Sequence, residues 1–219
     1  MATREVLAEL AAAYQQQSGR SVAIESVGGV DAARRVQAGE AFDLVVLASD
    51  AIDRLLAGGH LVAGSRVDIV RSPVAVAVRA GAPHPDLGTE DAVRQAVLAA
   101  KGIGFSTGPS GAHLVQLFER WGIADQIKDR IRQAPPGVPV GSLVARGEVE
   151  LGFQQLSELL HLPGVEVLGT LPPPIAFITT FAAGQCPGAT QADAVRGLLE
   201  FLCSPAAAEV KRRHGMEPA

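Results

Sequence analysis

Short apolar runs that read as strands alternate with amphipathic helical stretches along almost the whole chain, joined by turns rich in Gly, Ser and Pro. That alternation restricts the fold to α/β architectures, because strands apolar on both faces are buried only when helices cover the sheet. Three of the turns have the make-up of an anion site. Ser26-Val27-Gly28-Gly29-Val30-Asp31 follows residues 22–24, Ala48-Ser49-Asp50 follows 44–47, and Ser106-Thr107-Gly108-Pro109-Ser110-Gly111 follows 103–105. Each sets backbone N–H groups and hydroxyls at the start of a helix, where the partial positive end favours negative charge. Ser49, Asp50 and Ser110 read equally as ordinary helix caps. Ligands of open α/β sheets sit beyond the carboxyl ends of strands, so several such turns in one chain predict a composite pocket.

The first region predicts helix 3–18, strand 21–27, helix 31–38, strand 43–48, helix 50–57 and strand 67–71, a parallel βα pattern. Gly19, Gly39 and Gly58-Gly59 close its helices where a left-handed residue is wanted. Ser72-Pro73 then introduces the apolar strand 74–78. A second alternating region runs over 89–168. Its helices carry apolar stripes at Ala92, Val93, Ala96 and Val97 and at Leu114, Leu117, Phe118 and Trp121, around a strand at 102–106. A short helix at 123–130, a strand at 130–133, a rigid turn at 135–139 and a helix at 140–146 follow. Val149, Leu151 and Phe153 alternate with Glu148, Glu150 and Gly152, which predicts a half-exposed strand. Leu171-Pro172-Pro173-Pro174 stiffens a connection into strand 175–182, and helices 190–203 and 205–213 end the chain.

A length of 219 residues with 47% apolar side chains supports one large domain or two lobes with a full core. A net charge of −4 gives no general attraction to nucleic acid or to an anionic membrane, so neither is expected as a partner. No apolar run approaches the roughly 20 residues that span a bilayer. Cys186 and Cys203, the only cysteines, show no metal or redox spacing, and the five histidines lack paired ligand spacing; no metal and no cofactor is expected. Nucleotide-binding glycine motifs and a Gly-x-Ser-x-Gly elbow are absent. The chain opens on a helix where the alternation calls for a strand, so the expected fold lacks its first strand. As written it reads as cytoplasmic; an upstream start carrying an export signal would make it periplasmic.

Three segments carry a family resemblance. Gly28-Gly29-Val30-Asp31-Ala32-Ala33 with Gly39-Glu40-Ala41-Phe42-Asp43-Leu44-Val45-Val46-Leu47-Ala48-Ser49 is one, Val144-Ala145-Arg146-Gly147-Glu148-Val149-Glu150-Leu151-Gly152 the second, and Phe201-Leu202-Cys203-Ser204-Pro205-Ala206-Ala207 the third. Together they resemble the substrate-binding proteins of bacterial ABC importers, specifically the molybdate-binding family, over nearly the whole chain. The resemblance implies a two-lobed α/β fold of the type II periplasmic-binding-protein class, each lobe a mostly parallel sheet flanked by helices. Lobe one would comprise 1–72 and 175–219 and lobe two 73–174, with a ligand clamped between them by hinge closure. It further implies a small anion as ligand, an importer permease as partner and a monomer.

Ligand contacts of the family fall on turns matching Gly28, Gly29, Val30, Ser49 and Asp50 in lobe one, and on Thr107, Ser110, Gly111, Pro136, Gly137, Gln154 and Gln155 in lobe two. Thr3 lies where a serine-bearing loop would be. Gly28-Gly29-Val30 replaces a hydroxyl-rich loop and Gln154-Gln155 replaces a tyrosine, departures that leave two ligand classes, a molybdate-like oxyanion or a larger organic carboxylate. Arg4 and Arg71 are then the candidate carboxylate-binding arginines, since guanidinium pairs with carboxylate in a bidentate fork. Some relatives of the family are aconitate isomerases. The alternative function is therefore a cofactor-free proton transfer on a small polycarboxylate, with His113, Ser110 and Thr3 as participants. A stand-alone ligand sensor is the third reading.

Overall fold

The computed structural model describes residues 1–135 and 137–219, so Pro136 lies outside the described residues. Along the chain run α1 (Arg4–Ser18), α2 (Gly29–Gln37), β1 (Leu44–Ala48), α3 (Ser49–Ala57), β2 (Val67–Arg79), α4 (Glu90–Ala99), β3 (Ile103–Phe105), α5 (Pro109–Arg120), α6 (Ala124–Ile127), β4 (Ile131–Gln133), α7 (Val140–Ala145), β5 (Leu151–Gln155), α8 (Leu156–Leu159), β6 (Val165–Thr170), β7 (Ile178–Gln185), α9 (Ala192–Cys203), α10 (Ala208–Arg213) and β8 (Glu217–Pro218). The fold is mixed α/β and divides into two compact units. Unit 1 is Met1–Ser72 with Thr180–Ala219, and unit 2 is Pro73–Thr179. Residues 175–179, expected in lobe one, stay with unit 2: the Val74 amide donates to the Phe177 carbonyl, and Gln155 donates to the Thr179 hydroxyl.

In unit 1, β1 pairs antiparallel with β7, from Leu44 opposite Gln185 to Ala48 opposite Phe181, and the start of β2 pairs antiparallel with β8. Val6 and Leu10 of α1 pack with Ile69, Val70, Leu199, Leu202 and Met216, while Val45, Leu47, Ile52, Leu55, Leu61 and Cys186 form a second cluster. Gly19, at φ 70°, accepts the left-handed turn that ends α1. The strand expected at 21–27 does not form. Those residues are largely exposed and carry no ladder, because among the described residues no strand runs beside them, and β-branched residues without a pairing partner gain nothing from extension. Cys186 and Cys203 are both free thiols.

Unit 2 is built on the order β6-β2-β5-β3-β4. β3 is parallel to β4 and to β5, whereas β2 is antiparallel to β5 and to β6. The mostly parallel sheets expected from the alternation are thus limited to the β4-β3-β5 trio. β2 enters unit 2 from unit 1 and runs against the strands on both its sides. The expected break at Ser72-Pro73 is also absent: β2 continues through it as one strand of 13 residues. Pro73 falls between Arg71, paired to β8, and Val74, paired to β5.

β5 is buried on both faces rather than half exposed. Glu148 and Glu150 lie ahead of the strand, and Gly152 is bare because α7 packs on it: a Cβ there would sit 2.4 Å from Val144 Cγ2. Phe105, Leu114, Phe118, Leu151 and Phe153 join Val74, Val76 and Val78 in the main core of the unit.

Lys211, 2% exposed, donates from Nζ to the Ile69 carbonyl at 2.9 Å. Burial pushes its pKa down, and Cys203 partly offsets that shift. Between the lowered value and the ordinary lysine value of about 10.4 the unfolded chain binds more protons than the folded one, so this group makes stability rise with pH across that window. Urea denaturation at stepped alkaline pH should show the rise in the wild type and a flatter profile in Lys211→Met; parallel profiles would contradict the assignment.

Candidate functional site

The β4-β3-β5 trio positions the site of unit 2. Phe105 of β3 is level with Gln133 of β4 and Phe153 of β5, and the Ala134 amide extends the ladder to the Phe105 carbonyl at 2.9 Å. Because the three strands run in one direction and Phe105 is level with Gln133 and Phe153, the segments starting at Ser106 and Ala134 and the last two residues of β5, Gln154 and Gln155, come to one edge of the sheet. The Gln154 side chain ties two of these segments: its Oε1 accepts the Val140 amide at 2.8 Å.

The segment after β3 is shaped by Gly111. A Cβ at that position would lie 1.7 Å from the Ser106 carbonyl oxygen, so only glycine lets the first turn of α5 close on the end of β3. Gly108 is the N-cap and makes no side-chain cap bond, and Pro109 at the first helical position has no N–H to satisfy. The amides of Ser110 and Gly111 head the helix, in a site where Ser110 is 2% exposed. Ser110 is not the cap it resembled. Its Oγ lies 3.3 Å from Ser106 Oγ, which accepts the Gly108 amide at 3.3 Å. By contrast, α4 is capped conventionally, Thr89 Oγ1 accepting the Ala92 amide at 3.1 Å.

The segment after β5 adds buried polar groups. Gln155, 3% exposed, donates from Nε2 to Thr179 Oγ1 at 2.7 Å, while its Oε1 and the Ser157 Oγ are buried without a partner. Whichever way the amide is turned, one end stays unsatisfied, at a desolvation cost of about 1–3 kcal/mol that a ligand would recover. Burial pushes the Glu158 carboxyl up from its ordinary range. Thr107 and Gly137 are exposed on the two remaining segments, Gly137 at φ 80°.

His113 stacks on Phe177, ring centroids 4.2 Å apart and planes 13° from parallel, with a hydrogen bond to the Ile175 backbone and with Nε2 buried and unpartnered. Burial lowers its pKa, so the ring is neutral at neutral pH.

In unit 1 the starts of α2 and α3 also lack side-chain caps, their N-caps being Gly28 and Ala48. Ser49 and Asp50 are therefore first-turn residues rather than caps, and Asp50 pairs with Arg54 at 2.8 Å. Gly29 and Val30 stand exposed at the head of α2. Thr3 is buried before α1 and makes no side-chain cap bond. Both candidate arginines already have partners. Arg4 is exposed and paired with Glu5 at 3.5 Å, and exposed Arg71 donates to the Pro218 carbonyl at 3.0 and 3.2 Å, because β8 lies against β2 at that point.

Sequence reasoning, which carried the family's contacts over 154–157, passed over Glu158 and Thr179. The available signal was the polar run Gln154-Gln155-Leu156-Ser157-Glu158, which spans the end of a wholly buried strand. Among the described residues no group of three or more His, Cys, Asp or Glu side chains could hold a metal ion, and no helix is long and apolar enough to cross a membrane.

A two-unit α/β chain with uncapped helix starts at strand ends is the architecture of a solute-binding protein. The family model for bacterial extracellular solute-binding proteins matches residues 1–217, and the chain belongs to that family. It is 36% identical over 216 residues to an aconitate isomerase from a Pseudomonas species, covering 96% of this chain and 82% of the relative. Among solved structures it is similar to the periplasmic molybdate-binding protein of Azotobacter vinelandii, with a TM-score of 0.81, 20% identity, and 99% and 96% of the two chains covered. It is also similar to the sulfate-binding protein SubI of Mycobacterium tuberculosis, with a TM-score of 0.76, 16% identity, and 100% and 83% covered.

Gly111→Ala should destabilise the protein by about 1–3 kcal/mol, the usual cost of forcing atoms into filled space. Chemical denaturation measures it, and a wild-type midpoint would show that the Ser106 carbonyl does not press on this position.

Proposed function

We propose that the protein binds a small anion at the carboxyl edge of the β4-β3-β5 trio, held by neutral donors, and that the anion is an organic carboxylate. The carrying observation is the buried start of α5: hydroxyls stand beside its first turn, yet none caps it, leaving the Ser110 and Gly111 amides for a ligand. Thr107, Gly137, Gln154 and Gln155 are the further ligand groups of this edge, and Gly28, Gly29, Val30, Ser49 and Asp50 remain ligand candidates in unit 1. The family favours delivery of the bound solute to an importer permease and a periplasmic rather than a cytoplasmic location. We take the working form to be a monomer.

The 36%-identical aconitate isomerase favours a second reading, in which the bound polycarboxylate is isomerised. A proton leaves the methylene carbon of an unsaturated tricarboxylate and returns at the vinylic carbon, so the double bond shifts without a cofactor. His113, being neutral, has the right form for a base, and Ser110 and Thr3 remain its proposed partners.

Calorimetric titration with sulfate, molybdate, citrate and cis-aconitate tests the first reading, and following cis-aconitate by proton NMR during incubation with the protein tests the second. Ser110→Ala and Ser49→Ala should each weaken the best ligand by roughly 3- to 10-fold, the worth of one neutral hydrogen bond, with little change in the denaturation midpoint. Unchanged affinity in both variants would count against these turns as the site.

A further inference from the structure

The segment 175–179 meets two side chains of the candidate site. The Val74 amide holds it on β2 by donating to the Phe177 carbonyl at 2.9 Å. Phe177 stacks on His113 of α5, and two residues further on the Thr179 hydroxyl accepts from Gln155 Nε2 at 2.7 Å. Gln155 is the last residue of β5 and Thr179 is 5% exposed, so the pair is buried at the carboxyl edge of the trio. A hydroxyl and an amide together can make more hydrogen bonds than the one they share, and Gln155 Oε1 is buried with no partner.

A pair that only filled space would be served as well by methionine and valine, which match glutamine and threonine in shape. Replacing both partners of a buried hydrogen bond by apolar groups is close to neutral or stabilising, whereas a buried polar end left unpaired costs its full desolvation. Native proteins leave few such groups, and stability is given up in this way where function needs it.

The partner of each glutamine decides what it can offer. Gln154 Oε1 accepts the Val140 amide, which only donates, so that side chain is fixed one way round. The partner of Gln155 is a hydroxyl, which both donates and accepts. With Nε2 on Thr179 the free end is an acceptor for a ligand hydroxyl; with Oε1 taking the Thr179 proton the free end is an N–H donor for a carboxylate oxygen.

We infer that Gln155 is a specificity-determining residue that hydrogen-bonds a ligand oxygen, and that Thr179 is its positioning residue, able to hold the amide in either orientation. The inference rests on the anion-binding reading and adds a contact from β5 to the Ser110 and Gly111 amides. The ligand class it names is a carboxylate with a further oxygen group, carboxylate or hydroxyl. A ligand that set an apolar group against the amide would leave it unpaired and be rejected.

The test is calorimetric titration of sulfate, citrate and cis-aconitate into the wild type, Gln155→Met, Thr179→Val, Thr179→Ser and the Gln155→Met/Thr179→Val double variant, with urea denaturation of each in the absence of ligand. Gln155→Met should weaken the tightest of the three ligands by roughly tenfold or more. Thr179→Val should weaken it by a similar factor, and the double variant no further than Gln155→Met alone, because Thr179 acts through Gln155. Thr179→Ser keeps the hydroxyl and should stay within about twofold of the wild type. Without ligand, the double variant should unfold at a urea concentration no lower than the wild type does. In the wild type itself, the Gln155 side-chain amide resonances should move as that ligand saturates, a measurement that needs no variant to fold. Unmoved resonances, unchanged affinity in Gln155→Met, losses that multiply in the double variant, or a lowered midpoint there with affinity intact each overturn the role of this pair and leave anion binding standing. Absence of binding by all three ligands to the wild type removes the anion-binding reading itself, and this inference with it.

Discussion

β3 is only three residues long, and the candidate site depends on its two parallel ladders. Pairing Phe105 level with both Gln133 and Phe153 brings three chain segments to one edge, although 28 and 48 positions of sequence separate the paired residues. The trio is held by burial as well as by hydrogen bonds. Ile103 and Phe105 lie in the same core as Leu114 and Phe118 of α5 and Phe153 of β5, so the helix whose first turn faces the edge is fixed by the residues that fix the strands. Loss of one such aromatic would cost about 3–5 kcal/mol and would reach the site through the position of α5.

The chemistry of the edge follows from what is missing as much as from what is present. Neutral donors bind an anion without the tight, slow-releasing pairing that an arginine fork provides, which suits a protein that must let its solute go. The buried start of α5 provides partial positive charge without a side chain that could pair elsewhere.

Much of the element order was legible in the sequence, because periodicity and glycine stops are local signals. Helices α1, α4 and α5 fall close to where their apolar stripes and flanking residues put them, and the turns at 48–50 and 106–111 do lead into helices. What was not legible was set by partners distant in sequence. Residues 21–27 have strand composition but no neighbouring strand among the described residues, and Ser72-Pro73 reads as a break although β2 continues through it. Arg71 is a further case, because the Pro218 carbonyl that accepts from it lies 147 positions away in sequence.

The most direct test of the account is a pair of amide signals. In a two-dimensional ¹H–¹⁵N NMR titration with cis-aconitate, the backbone resonances of Ser110 and Gly111 should move downfield in proton shift and saturate together, as expected for N–H groups that gain a charged acceptor. Saturable shifts that leave these two amides unmoved would place the ligand elsewhere and contradict the site built on β3 and α5.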